Sequence, residues 1–183
     1  MPQPYRNAWA RYRGGTCLLE QLAHEESHKG GGFSTIAVRA IVTTMADWNQ
    51  QVIDEFRANG GRVGGDFEGR TLLLLHHRGA KTGTERINPV AYQRLSDDSV
   101  AVFASKGGAP MNPDWYHNVV ANPDVTVELG TETFSARARV AEGAERAEIW
   151  ERQKRDWPGF ADYEEKTKGI REIPVVVLEK TAA

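Results

Sequence analysis

A chain of 183 residues is long enough to fold as one domain around a real hydrophobic core. Its formal charge of −2, with 40% apolar and 26% charged residues, is ordinary for a globular protein and excludes the basic field that general nucleic-acid binding requires. The single cysteine, Cys17, excludes an intrachain disulfide and suits a reducing compartment, so a cytoplasmic location is expected.

Residues 1–44 differ from the rest of the chain and are expected to be a poorly ordered N-terminal extension. They show no apolar core of the signal-peptide kind. His24-Glu25-Glu26-Ser27-His28 matches H-E-x-x-H, in which two histidines one helical turn apart bind zinc and the glutamate activates water. The match does not stand as a metal site. Three glycines, Gly30 to Gly32, interrupt the segment, Glu26 charges a position that should pack inward, and no third ligand follows.

A domain over 45–183 is expected to open with an amphipathic helix, 45–58. Asp47 suits its N-cap, Trp48, Val52 and Phe56 recur at four-residue spacing, and Asn59-Gly60-Gly61 stops it. Strands are predicted at 71–77, 90–95 and 100–105, at 125–129 and 134–140 as a hairpin, and over 173–179. Helices are predicted over 142–157 and 159–167, and another after Asn112 as N-cap with Pro113 in its first position. Adjacent His76 and His77 fall on opposite faces of their strand, cannot share a metal, and read as structural residues. Pro89 argues for a strand edge or bulge, because proline cannot donate to a ladder. Leu72 to Leu75 and Val175 to Leu178 are the longest apolar runs and are too short to span a bilayer. The sum is α+β: about six mostly antiparallel strands, which a small barrel would bury, with flanking helices.

Positive charge collects around the connection Arg78 to Pro89. Arg70, Arg78, Lys81, Arg86, Arg94 and Lys106 stand against Glu85, Asp97 and Asp98. Glycines let a backbone turn and present its N–H groups to an anion, while lysine and arginine add charge-assisted hydrogen bonds. An anion-binding hairpin and a glycine-rich turn with solvated charges both account for the composition. Ser105 to Pro110 is a second such loop, with Lys106, and it leads into a helix N-terminus, another place suited to an anion. No Ser–His–Asp, Cys–His, Walker or G-x-G-x-x-G pattern is present, so a cofactor is expected to carry the chemistry. Trp115, Trp157, Phe160 and Tyr163 offer flat faces for a planar ring, with ordinary core packing as the alternative.

Gly79-Ala80-Lys81-Thr82-Gly83, Arg86-Ile87-Asn88-Pro89, Ala104-Ser105-Lys106-Gly107-Gly108, Asn112 to Asn118, Ala121-Asn122-Pro123 and Ile173 to Glu179 follow one another in that order. Together they resemble the deazaflavin-dependent nitroreductase and quinone reductase family, over about residues 45–180. The resemblance implies a split β-barrel and coenzyme F420, an 8-hydroxy-5-deazaflavin with a phosphate and an oligoglutamate tail. It implies hydride transfer from C5 of the reduced cofactor to a quinone or nitro-containing acceptor. Lys81, Thr82, Gly83 and Arg86 would bind the tail and phosphate. Pro89, Val90, Ser105, Lys106, Gly107, Trp115 and Asn118 would shape the cofactor site, with Ser105 near the reacting end. Trp157, Phe160 and Tyr163 would form the acceptor wall, where nitroimidazole-reducing relatives carry three tyrosines; only Tyr163 keeps a hydroxyl to orient an acceptor or donate a proton. Two other readings stand beside this one: a non-catalytic F420 carrier, and an FMN-dependent oxidase of the pyridoxamine-phosphate type on the same barrel. Peripheral contact with the inner face of the plasma membrane is compatible with a quinone acceptor.

Overall fold

The computed structural model describes residues 48–181. The expected extension 1–44, with Cys17 and the His24–His28 motif, and the expected cap Asp47 lie outside the described residues. Six strands form one closed barrel: β1 (Leu72–Arg78), β2 (Glu85–Arg94), β3 (Ser99–Phe103), β4 (Asp124–Leu129), β5 (Glu132–Val140) and β6 (Val175–Lys180). Their order around the ring is β1-β2-β3-β6-β5-β4, and every pairing is antiparallel. Among the described residues four α-helices flank it: α1 over 48–58, α2 (Asp114–Ala121), α3 (Gly143–Asp156) and α4 (Gly159–Thr167).

The apolar runs are continuous because their strands are buried on both faces. Leu73 and Leu75 point into the barrel, whereas Leu72 and Leu74 pack outward with Val52, Ile53 and Phe56 of α1. β6 behaves alike: Val176 and Leu178 fill the barrel, and Val175 and Val177 join Ile149, Trp150 and Phe160 of α3 and α4. A period of two therefore places one half of each strand in the barrel and the other under a helix. α1 is also tied down by Arg57, whose Nε donates to Glu128 on β4 at 3.0 Å, and Glu128 accepts from His76 Nε2 at 2.6 Å.

Two expectations shift. β2 begins at Glu85, not near Val90, because Arg86 to Pro89 pair with His77 to Leu74 of β1. The connection thus shrinks to Gly79–Thr84, and Arg86 becomes a strand residue. Asn112 does not cap α2, which begins at Asp114 with Pro113 as its N-cap residue and no side-chain cap. The Asn112 carboxamide oxygen instead accepts from Arg171 at 2.6 Å, and a stronger, charge-assisted partner outcompetes the cap.

β2 pairs with β3 only through Tyr92 to Arg94, which leaves Glu85 to Ala91 without a strand on that side. Pro89 lies in this locally unpaired stretch, as its missing N–H demands. The ring closes through Tyr92 to Arg94, and the wall beside the rest of β2 is open.

The connection from β3 to β4 joins strands on opposite sides of the ring, so it must cross one end of the barrel. α2 makes that crossing and plugs the end with Trp115 and Val119, both in the barrel core. Leu178, fully buried, is central to that core. Leu178→Ala should cost about 2–5 kcal/mol, read as a lowered denaturant midpoint with an unchanged slope.

Candidate functional site

Both glycine loops meet α2, the Gly79–Thr84 loop through Asn118 and Asn122 and the Ser105–Pro110 loop as the chain that leads into the helix. The Gly79–Thr84 loop is closed by two backbone bonds, Gly79 N–H to Thr84 at 2.9 Å and Gly83 N–H to Gly79 at 2.8 Å. A Cβ on Gly79 would sit 2.7 Å from Thr82 Oγ1, and Gly83 has φ +66°, so both positions need glycine. Thr82 Oγ1 accepts from Thr84 N–H at 3.3 Å and shapes the turn.

α2 holds this loop from outside. Asn118 Oδ1 accepts the Ala80 N–H at 2.8 Å, and the Asn122 side chain donates to the Arg78 carbonyl at 3.3 Å. Behind Asn118 stands His77, 2% exposed. Its Nδ1 accepts from Asn118 Nδ2 at 3.2 Å, while its Nε2–H donates to Asn88 Oδ1 at 2.8 Å. One neutral tautomer satisfies both bonds. Burial lowers the His77 pKa, and the Arg86 charge lowers it further against the opposing bond from Asn88.

The second loop, Ser105–Pro110, is held by a residue that sequence reading missed. Arg171 donates to the Ala104, Ser105 and Ala109 carbonyls at 3.3, 2.9 and 3.0 Å, besides its bond to Asn112. Burial lowers its pKa, yet a guanidinium remains charged far above neutral pH. Nothing local signals this role, because Arg171 is 59 to 67 residues from its acceptors. The loop itself is left-handed through Lys106, Gly107 and Gly108, with φ of +47°, +65° and +83°; among the described residues Lys106 is the lone non-glycine there. A Cβ on Gly108 would meet Lys166 Cδ at 2.9 Å and Tyr163 Cα at 3.2 Å, so the loop lies directly on α4.

On α4 and just before it, an aromatic row runs Trp157, Phe160, Tyr163, with centroid distances of 5.2 and 5.4 Å. Trp157 and Tyr163 are half-buried, but Phe160 is 3% exposed and also contacts Phe103 and Trp150. Phe160 therefore backs the row and does not face solvent. Trp115 and Val90 are likewise barrel-core side chains, which can shape a site only from beneath. Burial raises the Tyr163 phenol pKa, with Asp162 adding to the effect, so it stays protonated at neutral pH.

Among the described residues Arg78, Lys81, Arg86 and Lys106 have no carboxylate partner, and neither have Arg62, Arg70, Arg94, Arg155, Lys166 and Lys180. What sets the first four apart is their place on or beside the two glycine loops. Lys81, Arg86 and Lys106 are exposed. The Ser105 hydroxyl makes no hydrogen bond within the described residues. Two concavities of about 600 and 680 Å³ lie elsewhere, and neither is lined by these side chains. Unpaired cations, an open β2 edge and an aromatic shelf fit a planar group with an anionic tail lying along the surface. Among the described residues no cluster could hold a metal ion.

The His77 bonds give the loop anchor a sign in pH. The folded-state pKa is depressed, so the unfolded chain binds the proton more readily. Stability should be whole above about pH 6.5 and lost as pH falls toward the depressed folded value. The difference in denaturant midpoint between about pH 7.5 and 5.5 should shrink in His77→Gln, whose side chain does not titrate over that range.

The family model for F420H(2)-dependent quinone reductase matches residues 48–180. An F420H(2)-dependent quinone reductase of Mycobacterium tuberculosis (strain H37Rv) is 36% identical over 129 residues, 68% of this chain and 85% of that protein. The solved structure of an F420-H2 dependent reductase is 38% identical and has a TM-score of 0.54, covering 59% of this chain and 93% of its own. A second solved chain, described as a domain-swapped dimer, is 34% identical with a TM-score of 0.56, covering 75% and 98%. This chain belongs to the F420H(2)-dependent quinone reductase family.

Proposed function

We infer that the protein is an oxidoreductase that passes a hydride from reduced coenzyme F420 to a quinone, with nitro-containing compounds as further acceptors. The observation that carries this reading is exposed Lys81 and Arg86 on and beside the Gly79–Thr84 loop that Asn118 of α2 anchors, with exposed Lys106 on the loop that Arg171 holds, in a chain of this family. When bound, the deazaflavin supplies the hydride from C5.

The chain's own residues bind, orient and protonate. Lys81 and Arg86, with Thr82 and Gly83, hold the phosphate and acidic tail through charge-assisted bonds. Lys106 and Gly107 add a second anionic contact. Pro89 and Val90 on the open edge of β2, with Trp115 and Asn118 on α2, shape the space for the ring. Ser105, with its free hydroxyl, serves the reacting end. Trp157 and Tyr163 face the acceptor, with Phe160 packed behind them, and the protonated Tyr163 phenol can donate to an acceptor oxygen as negative charge arrives there.

We place the reaction in the cytoplasm, and a lipid-soluble quinone would draw the protein to the inner face of the plasma membrane. Among the described residues no helix is long and apolar enough to cross a membrane.

Fluorescence titration with oxidised F420 and with FMN, followed by addition of menadione to the protein with reduced F420, tests the function. Tight F420 binding, weak FMN binding and oxidation of the reduced cofactor are expected. Tighter FMN binding would point to an oxidase, and binding without turnover to a carrier. The Lys81→Ala/Arg86→Ala double variant should bind F420 at least about tenfold more weakly, with a shallower salt dependence. Tyr163→Phe should lower kcat about tenfold or more while the F420 Kd changes less than about twofold. Unchanged turnover in that variant would remove the donor role.

A further inference from the structure

We propose that Arg70 determines acceptor specificity: its guanidinium covers the Trp157 ring and favours planar acceptors that carry negative charge over neutral ones. The inference deepens the functional reading above and rests on it.

Arg70 Cζ lies 4.3 Å from the Trp157 ring centroid, well within cation–π range. Three other such contacts among the described residues are longer, at 5.2 to 5.9 Å. Phe160 meets Trp157 in a tilted, edge-type arrangement at 65°, so it does not stack flat on that ring. The face that a flat acceptor would use is therefore already occupied by a cation. Arg70 is exposed and has no ion pair among the described residues. Its charge also reaches Tyr163, where it opposes the effects of burial and of Asp162. Lys166 stands 5.9 Å from the Tyr163 ring, so positive charge flanks the row at both ends, with Asp162 as the counter-charge nearby.

The position suits a side chain that yields. Arg70 ends the segment 62–70 just before β1, and its neighbour Gly69 has φ +71° with nothing within 4 Å of a built Cβ. A neutral planar acceptor must displace the guanidinium from the ring and recovers nothing for it. An anionic acceptor displaces it too, but keeps it as an ion-pair partner in a partly apolar setting. Specificity is the difference between those two outcomes.

The test compares kcat/KM for menadione, which is neutral, and 1,2-naphthoquinone-4-sulfonate, which is anionic, with reduced F420. In Arg70→Ala the sulfonate-to-menadione ratio should fall about tenfold, with the neutral quinone improving. Arg70→Lys should keep part of the ratio, since it keeps the charge but loses the planar stack. Titration with oxidised F420 establishes that each variant is folded and binds cofactor. Should Arg70→Ala not fold, Arg70→Gln carries the same expectation, with a planar head and no charge. A ratio unchanged within about twofold, in a variant that binds F420 and reduces both quinones, would overturn the role of Arg70 alone. Failure of the wild-type protein to reduce either quinone would overturn the functional reading and this inference with it.

Discussion

The closed ring of six strands places β3 and β4 on opposite sides of the barrel, and the chain between them has to cross its end. Most of what matters for the site depends on that crossing. The crossing segment contains the Ser105–Pro110 loop and α2, and α2 then reaches the Gly79–Thr84 loop through Asn118 and Asn122. Two loops that a linear reading treats as separate are thereby referred to one eight-residue helix. Trp115 and Val119 fix that helix by burial, so the register of the loops is set by core packing more than by polar contacts.

The polar contacts supply orientation. Each neutral hydrogen bond contributes about 0.5–1.5 kcal/mol, but an unmet buried partner costs more. Asn118 therefore has two reasons to hold its place, the Ala80 amide and the His77 ring. Arg171 does the same for the second loop by charge, neutralising the ends of three carbonyl dipoles at once. With those internal needs met by Asn118 and Arg171, Lys81, Arg86 and Lys106 are left facing solvent. An anion meets cations that no neighbour already occupies.

Much of this was legible in the sequence, for identifiable reasons. Leu72 to Leu75 and Val175 to Leu178 announced strands, which prove to be buried on both faces, and Gly79, Gly83, Gly107 and Gly108 marked the two loops. Pro89 correctly signalled an incomplete edge. The start of β2 was hidden because Glu85, Arg86 and Asn88 are polar, leaving Ile87 as the one apolar residue of a partly exposed stretch. Asn112 looked like a cap because nothing nearby predicts Arg171, and Arg70 looked like one cation among several until Trp157 was placed under it. Such pairings exist only after closure, so no local pattern carries them. Phe160 followed the helical spacing of a wall but landed inside it, since periodicity gives a face and not a depth.

The ring order also sets a sequence of events in folding. The β1–β2 and β4–β5 hairpins join near neighbours, and contacts of that kind form early. The β1–β4 and β3–β6 pairings span about fifty and seventy-five residues and must wait for the chain to circle back. The Gly79–Thr84 turn can therefore exist before Asn118 arrives to orient it, and the Ser105 loop before Arg171. Ligand affinity would then appear only with the last strand pairings, and an early intermediate would display the cations without the geometry. Refolding followed by cofactor fluorescence would report the moment the barrel shuts.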